Sequence, residues 1–215
     1  MKQISRGWQN VIYDLGNGRV LKKRSSLLKQ YMFIRSEEIR KGEPHSVFRV
    51  VTDILRVNRA NDRANRYIRK ILHRMDTEII GNPDFLNKSD YEQDKVVVLR
   101  EILYSSSVDY AKELLDKYVN LIHKTWQYGF SEAMYNFLGN NGINKNGDVI
   151  QSDFGELILD KDVVAQKIRN KRWLKTTSFK NFPEGEVKDY HRTIMDKRMT
   201  LENLDRIWGK NLHNL

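Results

Sequence analysis

A chain of 215 residues, 40% hydrophobic and 31% charged, carries enough apolar side chain for one domain or two small lobes and is not disordered in composition. It has no cysteine, which excludes disulfides and thiolate metal centres, and its five histidines never take the spacing of a zinc site. The net charge of +10, from 38 basic and 28 acidic residues, favours a polyanionic partner: nucleic acid, anionic lipid or a phosphorylated ligand.

The opening stretch MKQISRGWQN has no apolar core of the kind a signal peptide needs, and no apolar run is long enough to span a bilayer. The expectation is a cytoplasmic protein. Residues 8–24 hold two β-prone runs, VIYDL and RVLKK, on either side of Gly16-Asn17-Gly18. Asn-Gly tolerates positive φ and predicts a hairpin. A three-residue turn puts Lys22 opposite Ile12, whereas a two-residue turn puts Lys23 there.

Residues 47–75 predict the longest helix. Ile54, Val57, Ala60, Ala64, Tyr67, Ile68, Ile71, Leu72 and Met75 fall on one face, and Arg56, Arg59, Arg63, Arg66, Lys70 and Arg74 on another. That basic stripe is either a solvated face or a contact for a polyanion or a protein partner. DTEII, residues 76–80, reads as a strand before a Pro turn, and residues 91–99 as another β-rich run. Residues 106–128 repeat apolar side chains at helical spacing. The Asn- and Gly-rich stretch from Phe137 to Gly155 predicts turns around short strands. Two helical pieces follow, one starting near Lys161 and one at Thr200, which stands as an N-cap.

Three features in order carry a resemblance. Asp153-Phe154-Gly155 follows an apolar β-run. Ser5-Arg6-Gly7-Trp8-Gln9-Asn10-Val11-Ile12 sits where a glycine-rich hairpin would be. Val20-Leu21-Lys22 ends the next strand. Together they resemble the protein-kinase fold. The resemblance implies an α+β chain with two lobes: a small β-rich N-lobe over residues 1–100 and a reduced, mostly helical C-lobe over 101–215. It implies Mg·ATP between the lobes. Gly7, Asn10 and Ile12 would face the nucleotide, with Lys22 or its rival Lys23 on the phosphates. Glu92 and Gln93 would lie at the hinge that meets the adenine. Asp153, with Asn136 or Asn140, would hold Mg²⁺.

The chain departs from the family where a base is needed. Thirteen residues before Asp153 stands Asn140, and five before that is Tyr135 instead of an aspartate. Another register pairs Asn136 with Glu132, a carboxylate able to take a substrate proton. The long helix carries Asp53 and Asp62 but no glutamate to pair with the lysine. Glu37, Glu38 and Glu43 fall in a segment without a predicted element. Phe182-Pro183-Glu184 only echoes the family's A-P-E. Three readings follow: an atypical kinase-like phosphotransferase, a catalytically inactive pseudokinase or scaffold, or a basic nucleic-acid-binding module. The third draws on the arginine stripe and on Trp173 within KIRNKRWLK, a ring that either stacks on a base or, as a lone Trp more often does, packs in the core or at the lobe interface.

Overall fold

Gly16 and Gly18 both sit at positive φ, 80° and 79°, where a Cβ would be strained. They close the hairpin between residues 10–14 and 19–24 of a computed structural model that describes residues 1–42, 45–133, 135–155 and 157–212. The Leu15 N–H donates to the Arg19 carbonyl at 3.1 Å, so the loop has three residues, and Ile12 pairs with Lys22. Glu43 lies outside the described residues.

The chain is α+β and separates into two compact units, residues 1–70 with 82–95, and residues 71–81 with 96–215. The first unit holds β1 (Lys2–Arg6), β2 (Asn10–Asp14), β3 (Arg19–Arg24), α1 (Leu27–Lys41), α2 (Val47–Ile71), β4 (Asp84–Phe85) and β5 (Tyr91–Asp94). Its strands form one antiparallel sheet in the order β1-β2-β3-β5-β4. One face of that sheet buries Val20, Lys22, Tyr91 and Gln93, which the register sets side by side. The helix α2 is tied to the sheet by polar bonds. Asn61 Nδ2 donates to Gln9 Oε1 at 3.0 Å, Asn65 Nδ2 to the Lys88 carbonyl at 3.3 Å, and Arg24 pairs with Asp62 at 2.8 Å.

The segment with no predicted element is α1. Ser26 caps its start and Gly42, at φ 72°, its end. Only Gln30 of this helix is buried; it donates to the Ser25 carbonyl at 2.8 Å and accepts from Asn58 at 3.0 Å. Leu28, Met32 and Ile39 point to solvent. An apolar side chain is thus no guide to the inner face here, which is why periodicity misses the helix.

The second unit begins with 3-10 turns at Leu72–Arg74 and Thr77–Ile80. The second of these corrects the strand expected over DTEII. Asp76 accepts the Glu78 N–H, Gly81 closes the turn at φ 70°, and Ile79 and Ile80 are buried by the turn. Strand β6 (Val97–Val98) and helices α3 (Leu99–Leu103) and α4 (Val108–Gln127) come next. Ala111, Leu114, Leu115, Tyr118, Val119, Ile122 and Trp126 make α4 the core of this unit. Each large side chain so buried stabilises by about 1.5–3 kcal/mol. The strands β7 (Ser131–Glu132), β8 (Asn141–Ile143), β9 (Val149–Gln151) and β10 (Leu157–Ile158) form two small antiparallel ladders, β6-β8-β9 and β7-β10. Then come α5 (Lys161–Arg169), a 3-10 turn at Arg172–Lys175, α6 (Thr177–Asn181), α7 (Glu186–Arg198) and α8 (Leu201–Ile207). Thr200 caps α8 as its sequence predicts.

Candidate functional site

In the first unit, Gly7 makes the bend between β1 and β2, its N–H donating to the Asn10 carbonyl at 2.9 Å. The two lysines of β3 separate cleanly. Lys22 is buried, its ammonium 5.8 Å from the Tyr91 ring centre, and Lys23 is exposed. Strand alternation forces this split. Glu92 and Gln93 lie within β5, and the strand runs to Asp94. Glu92 faces the other side of the sheet, near Arg19 at 3.7 Å, and Gln93 is buried on the Lys22 side. Neither is therefore in the segment that follows the sheet; that segment starts at Lys95, whose N–H bonds the Gly18 carbonyl. The β-rich run expected over 91–99 is two pieces, β5 and β6, in different sheets.

Asp62 of α2 is committed to Arg24 and, at 3.4 Å, to Lys88. The buried polar positions of α2 are Asn61 and Asn65, which sequence reasoning passed over. The signal was present: Asn61 stands seven residues from both Ile54 and Ile68, in the middle of the apolar stripe.

In the second unit the loop from β7 to β8 is built around Glu132. This residue is 4% exposed. Its carboxylate accepts the Asn136 N–H at 2.7 Å, Asn140 Nδ2 at 2.9 Å, the Tyr118 hydroxyl at 3.4 Å and Asn141 Nδ2 at 3.5 Å. Burial pushes the Glu132 carboxyl up, and these donors pull it back. Burial and the nearby carboxylate hold the Tyr118 phenol well above its ordinary range. Tyr135, beside Asn136, is fully buried at φ 50°, a strained backbone for a bulky side chain. Its hydroxyl meets that of Ser131 at 3.3 Å.

The same loop is pinned to the Asp-Phe-Gly segment. The Asn140 carbonyl accepts two N–H groups, from Ser152 at 2.9 Å and from Asp153 at 3.0 Å. Phe154 is fully buried, which anchors the turn by roughly 2–3 kcal/mol. Asp153 stays half-buried, and its Oδ1 accepts the Gly155 N–H at 3.2 Å. Asn136 is turned elsewhere: its Oδ1 accepts the Ser178 hydroxyl from α6. Of the three candidate metal ligands, then, the fold joins Asn140 to Asp153 and gives Asn136 another partner. No cluster of three His, Cys, Asp or Glu side chains able to hold a metal occurs among the described residues.

Trp173 is buried, its ring nearly perpendicular to that of Tyr135 and its Nε1–H on Asp196 Oδ1 at 3.2 Å. Of the two readings of Trp173, this is packing in the core and not a stacking platform. The arginine stripe stands on α2 as far as Lys70; Arg74 lies past the helix end, in the 3-10 turn, with its Nε on His73. No helix among the described residues is long and apolar enough to cross a membrane.

No protein-family model matches the chain, and no curated protein is similar to it in sequence at a significant level.

Proposed function

We propose that the chain is a protein-kinase-like nucleotide-binding protein. In this reading the first unit acts as the small lobe and the second as the large one. Lys22 serves the phosphates of ATP, and Asp153 with Asn140 serves Mg²⁺. The observation that carries the reading is the pair of hydrogen bonds at the Asn140 backbone carbonyl, which holds the main chain of Asn140 against that of Ser152 and Asp153 at the end of a hairpin. One carboxylate and one amide oxygen are too few charges to hold a divalent ion alone. They suit Mg²⁺, which takes one or two carboxylates and completes its shell with phosphate oxygens and water.

The reading leans to binding over catalysis. Glu132 is the only acid between Ser131 and Asn141, and its oxygens are occupied by loop donors. We assign it to shaping the loop. Phosphoryl transfer rests mainly on positioning and charge, so a trace of transfer survives without a base. A missing base costs about 10²–10⁴ in rate.

Thermal unfolding with and without Mg·ATP tests the proposal. A ligand at about 100 times its Kd stabilises by ~2.7 kcal/mol, which is roughly 5–10 °C for a chain of this size. The shift is expected in the wild type and absent in Asp153→Ala. An unshifted wild type removes the nucleotide; a shift that survives in Asp153→Ala removes the metal role.

A further inference from the structure

The charge of this protein is concentrated in one of its units. Residues 1–70 with 82–95 carry 19 lysines and arginines against 10 aspartates and glutamates, a net +9; the other unit carries 19 against 18, a net +1. The 25 residues of α2 alone hold seven of those cations. Within the first unit lies an open groove of about 780 Å³ lined by Thr52, Leu55, Arg56, Arg59, Arg63 and Arg66, with Asp62 and Lys88. The acid does not cancel the arginines, because Asp62 is already paired with Arg24 and Lys88. Arg59 and Arg63 have no ion-pair partner among the described residues.

The outward face of α2 has two halves. Positions 48, 51, 55, 59, 63 and 66 recur at three- and four-residue steps and so share one side of the helix. Its first half is apolar and open to solvent: Phe48 is 82% exposed, followed by Val51 and Leu55. Its second half is arginine. From Phe48 to Arg66 the stripe spans 19 residues, about 27 Å at the α-helical rise.

We propose that this face of α2 binds single-stranded nucleic acid, with phosphates on Arg59, Arg63 and Arg66 and a base against Phe48. Guanidinium groups grip phosphate by paired N–H donors, which lysine cannot do. An exposed ring offers stacking to any base, and stacking beside a basic track is how strands are held without regard to sequence. The length of the stripe matches a site of a few nucleotides. Duplex backbone would use the arginines and leave Phe48, Val51 and Leu55 idle, so the apolar half points to unpaired bases. This site is independent of the nucleotide reading.

Fluorescence anisotropy with labelled oligo(U) and oligo(dT) of about 20 nucleotides, and with the matching duplex, tests it on the full chain. The expected result is tighter binding to the single strands than to duplex. Its affinity should fall with salt at a log–log slope of about −0.7 for each phosphate engaged. The stronger of the RNA and DNA arms identifies the natural strand. Arg59→Glu with Arg63→Glu should weaken binding by about tenfold or more, and Arg59→Gln with Arg63→Gln by less, both with an unchanged unfolding midpoint. Phe48→Ala should weaken single-strand binding alone. A charge-matched control, Lys197→Glu with Lys210→Glu, should leave affinity in place. Equal loss in the control, equal affinity for duplex, indifference to Phe48→Ala, or binding only to phosphatidylserine-containing vesicles would each overturn the proposal.

Discussion

The Glu132 carboxylate accepts the backbone N–H of Asn136 at 2.7 Å. With Asn140, Asn141 and Tyr118 as further donors, this side chain is the hub of the loop that presents Asn140 to Asp153. A hub and a proton acceptor give opposite mutational signatures. Glu132→Gln swaps one acceptor for an NH₂ group that faces donors. It leaves at least one buried N–H unpaired and should cost about 1–3 kcal/mol. Urea unfolding reads that loss directly. The nucleotide-induced shift should persist in the variant wherever it remains folded. A Glu132→Gln protein of unchanged stability that had lost a measured turnover would restore Glu132 as the base.

The two neighbouring lysines of β3 give a matched pair of variants. Lys22 is buried beside Tyr91, and Lys23 projects from the opposite side of the strand into solvent. Removing a charge-assisted contact of about 1.5–3 kcal/mol weakens a ligand by roughly 10- to 100-fold. Lys22→Met should therefore lose ATP binding by that factor, measured by titration of a fluorescent ATP analogue. Lys23→Met should stay within about twofold, as exposed surface substitutions do. The reverse order would move the ligand to the other face of the sheet.

Why some of this was legible in the sequence and some was not has physical causes. The hairpin was legible because Asn17 and the flanking glycines serve a turn that few other residues form. The helix α4 was legible because its apolar stripe is all core. Helix α1 was hidden, since Leu28, Met32 and Ile39 are exposed and the one buried residue is a glutamine. The strand expected over DTEII failed because apolar content alone does not separate a buried turn from a buried strand. At the candidate site, Asp153 stood out by its motif. Glu132 was visible as the loop's only acid, but its burial was not, because the donors that surround it come from Tyr118, fourteen residues upstream, and from the loop's own fold. Which of Lys22 and Lys23 faces inward hung on turn length, a choice the sequence left open and the Leu15–Arg19 bond decides.

Gly142 sets how closely β6 and β8 approach. A Cβ there would lie 2.5 Å from Val96 Cγ2 and 2.7 Å from the Val97 carbonyl oxygen. The second of these is backbone and cannot swing away. Gly142→Ala should destabilise the second unit by about 1–3 kcal/mol through overpacking, seen as a lower urea midpoint. Gly147→Ala provides the contrast: nothing among the described residues lies within 4 Å of its added methyl group, but φ is +81°, so its cost is backbone strain of about 1 kcal/mol.

His191 gives the chain an acid-sensitive core. It is fully buried in α7, stacked on Phe137 at 4.3 Å between ring centres and close to Phe179, and neither ring nitrogen has a hydrogen-bond partner among the described residues. Burial holds its pKa down to about 3. The unfolded chain takes up a proton near 6.5, while the folded one stays neutral until far lower pH. Stability from this residue is thus complete above about 6.5 and falls as the pH drops toward 3, by roughly 1.4 kcal/mol per pH unit. Between pH 6.5 and 5 the loss is about 2 kcal/mol. His123, lowered to about 4, adds a slope of the same sign. Glu132, raised by burial, has the opposite one. Comparing wild type with His191→Phe by urea unfolding at both pH values cancels those two terms. The variant should lose less stability on acidification, by about 2 kcal/mol, and should match or exceed the wild type at pH 5. Parallel pH profiles for the two proteins would mean that His191 finds a proton-accepting partner in solution.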